Sequence, residues 1–400
     1  MARTRGVPRR VRIPARQGEQ FERLAEAFGE SPFSRRGFLK AAVVLPAAGV
    51  LASCSTDVGE PPAPADDGTD SGSPAATIED QLNIYNWAAY LNPATRKAFA
   101  KAYDVETTLD FYSSNEELIA KLQGGATGYD LVAPTGYAVQ IMADEGLLFE
   151  LDHALIPNMA NVDPRFIGLS FDPDNTYSMP KDWGTTGFGY LQDFVDEEMT
   201  SWEDFFSLAE KYSGKYTVLD SSPEVIGAGL KRHGYSYNST EPSEVDEAVD
   251  DLIAIKPHIA AITSSEYRQM MGRGDTWVAL GWNGDFFYVL EDQPSVKYVI
   301  PDEGTEFWVD TWAVPATAEH PIAAMTFIDW VLTPENQGQE TNYTYYASAV
   351  TGAQEFTDPA IAEDPSIYPD PSVIDKLEAN DGNPEALDLR SEGWTKFKSA

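Results

Sequence analysis

From Gln81 onward, short apolar runs alternate with amphipathic segments, and the change of period from two to about 3.6 separates strands from helices. Leu82-Asn83-Ile84-Tyr85-Asn86-Trp87 reads as a strand. Asn92-Pro93 offers a helix cap and a pre-set first helical residue, which predicts a helix over Ala94 to Tyr103, and Val105 to Phe111 returns as a second strand. Asn115-Glu116-Glu117 opens a second helix that Gly124-Gly125 closes. Tyr129-Asp130-Leu131-Val132-Ala133 then gives a third strand, and Tyr137 to Glu145 a further helix stopped by Gly146. This order is that of an α/β protein with a largely parallel sheet. Glycines thicken between Trp183 and Gly189, after which Trp202 to Tyr212 predicts a helix and Tyr216 to Leu219 a strand. That composition suits a crossover into a second lobe. A second crossing is expected over Lys297 to Pro315, through Tyr298-Val299-Ile300 and Phe307-Trp308-Val309-Asp310. Two lobes joined in this way leave a cleft between them, where ligands commonly bind.

The first 53 residues break the pattern. They hold 10 Lys or Arg against 4 Asp or Glu, whereas the 400-residue chain holds 28 against 64, so the remainder carries a formal charge of −42. Such a body repels phosphate backbones and makes nucleic acid a poor partner. Within the basic leader, Ser34-Arg35-Arg36-Gly37-Phe38-Leu39-Lys40 is the twin-arginine export pattern, and it runs into the apolar stretch Ala41 to Ala52. That stretch contains Pro46 and falls well short of the roughly 20 residues needed to span a bilayer, which marks a signal segment rather than a transmembrane helix. The only Cys follows in Leu51-Ala52-Ser53-Cys54, which resembles the bacterial lipobox. The expected mature chain begins at a lipidated Cys54, and the Ser, Thr, Asp, Gly, Pro and Ala that dominate the residues up to 78 form a flexible tether to the outer face of the cytoplasmic membrane. One Cys excludes a disulfide framework and multi-Cys metal centres, four His leave little for histidine ligation, and no cofactor is expected.

No G-x-S-x-G elbow, H-E-x-x-H, Walker lysine loop or dinucleotide-binding glycine pattern is present. What stands out is aromatic rings beside acids at predicted strand ends. In Trp308-Val309-Asp310, strand alternation points the indole and the carboxylate to one side. Trp282-Asn283-Gly284-Asp285 ends an apolar run with a second such pair, and Trp87 and Tyr90 add rings at the end of the first strand. Each indole or phenol face attracts a cation by about 0.5 to 2 kcal/mol, so carboxylates at both ends of such a box suit a diamine or polyamine. Taken singly, each Trp also fits a core and Asp285 also fits a turn.

The succession Tyr85-Asn86-Trp87, Tyr129-Asp130-Leu131-Val132-Ala133-Pro134, Trp183-Gly184, Trp282-Asn283-Gly284 and Phe307-Trp308-Val309-Asp310 resembles the spermidine/putrescine-binding proteins that serve polyamine ABC importers. The resemblance implies an α/β, two-lobed type 2 periplasmic-binding-protein fold, with residues 79–185 and 309–354 in one lobe and 190–304 with 355–400 in the other. It implies an aromatic box of Trp87, Tyr90, Tyr137, Trp282, Trp308 and Tyr346, with Thr135 near one end and Glu224 and Asp310 as amine-binding acids. A third acid, three residues before the glutamate in the spermidine-preferring branch, is replaced here by Ser221, whereas Trp282 to Asp285 matches the Trp-x-x-Asp of the putrescine-preferring branch. Ala88 also departs from the hydroxyl residue usual after the first Trp. The reading that follows is a monomeric, non-enzymatic binding protein that delivers polyamine to permease subunits, with Asp285 as the substitute third acid. A binding protein for another solute and an exported hydrolase using a carboxylate pair are the alternatives.

Overall fold

The computed structural model describes residues 77–400. The twin-arginine leader, Cys54 and the polar segment up to residue 76 lie outside the described residues.

Strand β1 (Gln81–Trp87) leads through the turn at Ala88 to Leu91 into helix α1 (Pro93–Tyr103), whose cap Asn92 accepts from the Ala94 N–H at 2.9 Å. Strand β2 (Glu106–Tyr112), helix α2 (Asn115–Gln123), the short β3 (Leu131–Val132) and helix α3 (Gly136–Asp144) complete the first α/β series. The long β4 (Ser178–Leu191) then carries the chain across to α4 (Trp202–Ser207), β5 (Tyr216–Val218), α5 (Ser222–Arg232), α6 (Pro242–Ile255) and β6 (Ile259–Ile262). Helix α7 (Tyr267–Gly272), β7 (Val278–Trp282), α8 (Asn283–Asp292) and β8 (Val296–Val299) follow. Strand β9 (Glu306–Ala313) returns to α9 (Pro321–Val331) and α10 (Pro334–Thr344), and the chain ends with α11 (Pro384–Ser399).

The strands run in the order β2-β1-β3-β9-β4-β7-β5-β6. Pairing is parallel within each half, among β1, β2 and β3 and among β5, β6 and β7. It is antiparallel in the middle, where β9 pairs with β3 and β4, and β4 with β7 and β8. The largely parallel sheet expected from the sequence is therefore mixed, because the two crossings themselves are strands running in opposite senses. Residues 178–185 of β4 pair with β9, and residues 186–191 pair with β7 and β8, so one strand belongs to both halves.

Two apolar cores flank this crossing. One gathers Phe188, Trp202, Phe205, Tyr216, Val249, Leu280 and Phe397; the other gathers Leu82, Phe99, Leu131, Trp312, Phe327 and Ile328. Ile361 and Ile367 join the second of these, and the Tyr368 ring meets Trp183 edge-on at 6.2 Å. The tail is therefore divided between the lobes, in contrast to the expectation that 355–400 sits wholly with 190–304. Its last helix packs on that lobe through Phe397, and the segment before it bonds there too, Glu378 to Lys231 and Ser236 and the Ala379 carbonyl to Asn238.

Candidate functional site: an aromatic cleft with buried carboxylates

One cavity of about 290 Å³ lies where the two halves meet, and all ten residues selected from the sequence reach its wall. Trp87 ends β1 and Tyr90 follows in the turn, where Ala89 adopts a left-handed conformation with φ of 55° that non-glycine residues seldom take. Thr135 and Tyr137 flank the first residue of α3, Glu224 lies in the first turn of α5, and Asp285 lies in the first turn of α8 just after Trp282 ends β7. Trp308 and Asp310 share one face of β9, as their period-two spacing predicts, and Tyr346 lies just beyond α10.

The rings form a cluster separate from both cores. Tyr346 meets Trp308 edge-on at 5.0 Å and Tyr90 at 5.6 Å, and Trp87 meets Trp282 edge-on at 6.5 Å. Trp87 is held by its indole N–H donating to the Ala133 carbonyl at 2.9 Å, and by Tyr112 packed 4.7 Å away. These faces offer π density and apolar area, which is a surface for an alkyl chain carrying positive charge.

Asp310 anchors one end. Its carboxylate accepts from Thr135 Oγ1 and from the Tyr90 hydroxyl, each at 2.6 Å. Thr135 occupies the cap position of α3 yet makes no capping bond, since its hydroxyl is committed to Asp310 and its N–H to Asn115. Beneath Asp310, directly across the β4–β9 register, lies Asp182, which pairs with the fully buried Lys181 and also receives the Tyr90 hydroxyl. Burial, with the Asp182 charge beside it, pushes Asp310 up to about 7.

The cavity wall also carries Glu224, Asp285 and a residue that the motif reading missed, Glu306. The Ser221 hydroxyl donates to Glu224, which explains why Ser221 caps α5 by position without a capping bond. Burial raises Glu224, and the nearby Glu116 adds to the effect. Asp285 does not stand as the free substitute acid expected from the sequence: it accepts from Tyr267 at 2.5 Å and Tyr346 at 3.0 Å, and Arg268 pairs with it at 3.2 Å. Arg268 gave no signal in the sequence, being one basic residue on a six-residue helix. Glu306 did give one, because the alternation linking Trp308 to Asp310 extends back two residues to it. It is 3% exposed, accepts from Thr186 at 3.2 Å, and is raised to about 8 by burial and by the Glu224 charge.

A cleft of this kind, between two α/β halves linked by strands, defines a two-lobed solute-binding protein, and comparison with known sequences agrees. The chain belongs to the bacterial extracellular solute-binding proteins, whose family model matches residues 94–369. It is similar to the spermidine/putrescine-binding periplasmic protein of Salmonella typhimurium, at 32% identity over 326 residues covering 81% of this chain and 93% of that protein. It is equally similar to a putrescine/cadaverine-binding protein of Pseudomonas aeruginosa, at 32% over 340 residues covering 82% and 96%. Among solved structures, a putative spermidine/putrescine ABC transporter from Listeria monocytogenes superposes with a TM-score of 0.76 at 34% identity, covering 80% of this chain and 99% of that one.

Proposed function

We propose that this protein captures linear polyamines in the cleft and delivers them to the permease subunits of an ABC importer, as a monomer and without changing them chemically. The observation that carries this reading is the cluster of Trp87, Tyr90, Trp282, Trp308 and Tyr346 in a cavity whose wall also holds the carboxylates of Asp310, Glu224 and Glu306. Buried carboxylates are unfavourable unless a cation meets them, and aromatic walls favour the methylenes between ammonium groups by about 0.8 kcal/mol per buried CH₂. The relatives from Salmonella and Pseudomonas, named for spermidine, putrescine and cadaverine, support the same ligand class.

We further propose that Cys54 carries lipid and holds the protein at the outer face of the cytoplasmic membrane. Among the described residues no helix is long and apolar enough to cross a membrane, and the twin-arginine and lipobox-like segments precede Cys54 in the order that export and processing require. Mass spectrometry of protein from its native host is expected to find a diacylglyceryl thioether at Cys54, and a free thiol there overturns the anchor.

A thermal-shift panel of polyamines, amino acids and sugars tests the ligand class. A ligand at a hundred times its Kd adds about 2.7 kcal/mol of stability, so polyamines should raise the melting temperature and be recovered intact. Stabilisation by a neutral sugar alone, or consumption of the amine, contradicts the reading.

A further inference from the structure

The cavity wall presents four carboxylates, Glu224, Asp285, Glu306 and Asp310, and one cation, Arg268. Arg268 is within ion-pair distance of Asp285, and among the described residues no other cation lies within 4.0 Å of the remaining three acids. Lys181, the cation beneath Asp310, is committed to Asp182. Arg390, whose charge reaches Glu306 and favours its ionised form, forms no ion pair with it: it donates to the carbonyls of Ala386 and Tyr237 and keeps one buried guanidinium nitrogen without a partner. Glu306 is thus a deeply buried acid at the ligand space with no cation in ion-pair contact, Arg390 acting on it only from a longer range.

Its position adds a length. Glu306, Trp308 and Asp310 alternate along one face of β9, so the two carboxylates flank the indole with Cα atoms about 13 Å apart at roughly 3.3 Å per residue. A linear triamine with three- and four-carbon spacers places its end nitrogens about 11 Å apart at roughly 1.25 Å of advance per bond, whereas a four-carbon diamine reaches about 6 Å. A diamine seated on Asp310 therefore stops short of Glu306.

We infer that Glu306 and Glu224 together seat the far ammonium end of a linear triamine whose near end rests on Asp310, making Glu306 the residue that selects the longer amine. This inference rests on the polyamine reading and names its substrate class. With no protein cation in ion-pair contact, the three acids together offset the charge of a triamine, two at its far end and one at its near end, and Glu306 takes the place of the third acid that Ser221 lacks and that Arg268 removes from Asp285.

The test is calorimetric titration of the full chain and its Glu306→Gln variant with spermidine and putrescine at pH 8. The native protein should prefer spermidine by tenfold or more. Glu306→Gln should lose at least tenfold in spermidine affinity, with a loss for putrescine at least fivefold smaller, while Glu306→Asp, which keeps the charge, should retain the preference. Native preference for putrescine, or equal effects of Glu306→Gln on both amines, overturns the assignment of Glu306. Silence of the native protein toward every polyamine overturns the parent reading instead, so the two failures are distinguishable.

Discussion

Asp310 and Glu306 hold their protons near neutrality for a physical reason that also predicts how binding responds to pH. Asp310 faces Asp182, Lys181, Tyr90 and Thr135, and Glu306 faces Glu224, Thr186, Tyr237 and Arg390, with Glu378 of the short strand β10 (Glu378–Ala379) beside it in register. Both are raised above the unfolded range near pH 4, to about 7 and about 8 respectively. The ligand-free fold therefore binds protons that the unfolded chain has released, and their contribution to stability is full below about pH 4 and lost as pH rises through 7 to 8. A cation favours the ionised acids, so polyamine affinity should rise from pH 6 to 8.5 and binding should release protons. Calorimetry in buffers of different ionisation enthalpy measures that release; affinity that falls over this range contradicts it. At this scale the sequence was informative wherever a residue belonged to a motif or a period. Trp308, Asp310 and Tyr90 were legible in that way, and Glu306 lay on the same period. Arg268 and the Lys181–Asp182 pair were not, because a neutralising cation is defined by who it meets in space and not by its neighbours along the chain.

The capped helices of the first lobe were legible because Asn92, Pro93 and Gly124 act locally on the backbone, although the cap of the second is Ser114 and not Asn115, at which the sequence pattern opens it. Strand β4 was not legible as one element. All 14 of its residues are buried, so it shows no alternation, and its glycines read as a loose crossover. The structure gives those glycines a packing reason: a Cβ at Gly184 would overlap the Trp308 ring and Asn283 Oδ1, and one at Gly187 would overlap the Val299 carbonyl. The crossing is narrow because the second strand carries a Trp of the site against it. Gly184→Ala should displace the Trp308 indole and weaken polyamine binding by about tenfold or more, with a cost in stability of about 1 to 3 kcal/mol from overpacking. Titration together with thermal unfolding checks this, and native affinity in the variant would show that the close approach of β4 to Trp308 has no part in binding. Helix α4 ends at Ser207 instead of running to Tyr212, a boundary that apolar periodicity alone overshot.

Two cores joined by strands β4 and β9 place the aromatic cluster where relative motion of the lobes opens or closes it. Trp87 from one lobe touches Trp282 from the other, and Tyr346 donates across to Asp285 at 3.0 Å. Separation of the lobes would expose these groups, and a polyamine adds cation contacts to both walls, so ligand should favour the closed arrangement. Saturating spermidine is expected to reduce the radius of gyration in solution scattering and to change Trp fluorescence; identical scattering and fluorescence with and without ligand would contradict closure. That two lobes exist was readable from the alternation of elements, while the split of the tail between them was not, since Ile361 and Ile367 sit in short segments without a period. The central claim is that buried acids within an aromatic box hold an ammonium chain. Calorimetric titration of the native chain and Asp310→Asn with spermidine tests it most directly. Removing one partner of a buried charge pair costs about 2 to 5 kcal/mol, so the native protein should bind one spermidine per chain and Asp310→Asn should bind at least about 30-fold more weakly while still folded. The absence of binding by the native chain, or an unchanged dissociation constant in folded Asp310→Asn, would contradict it.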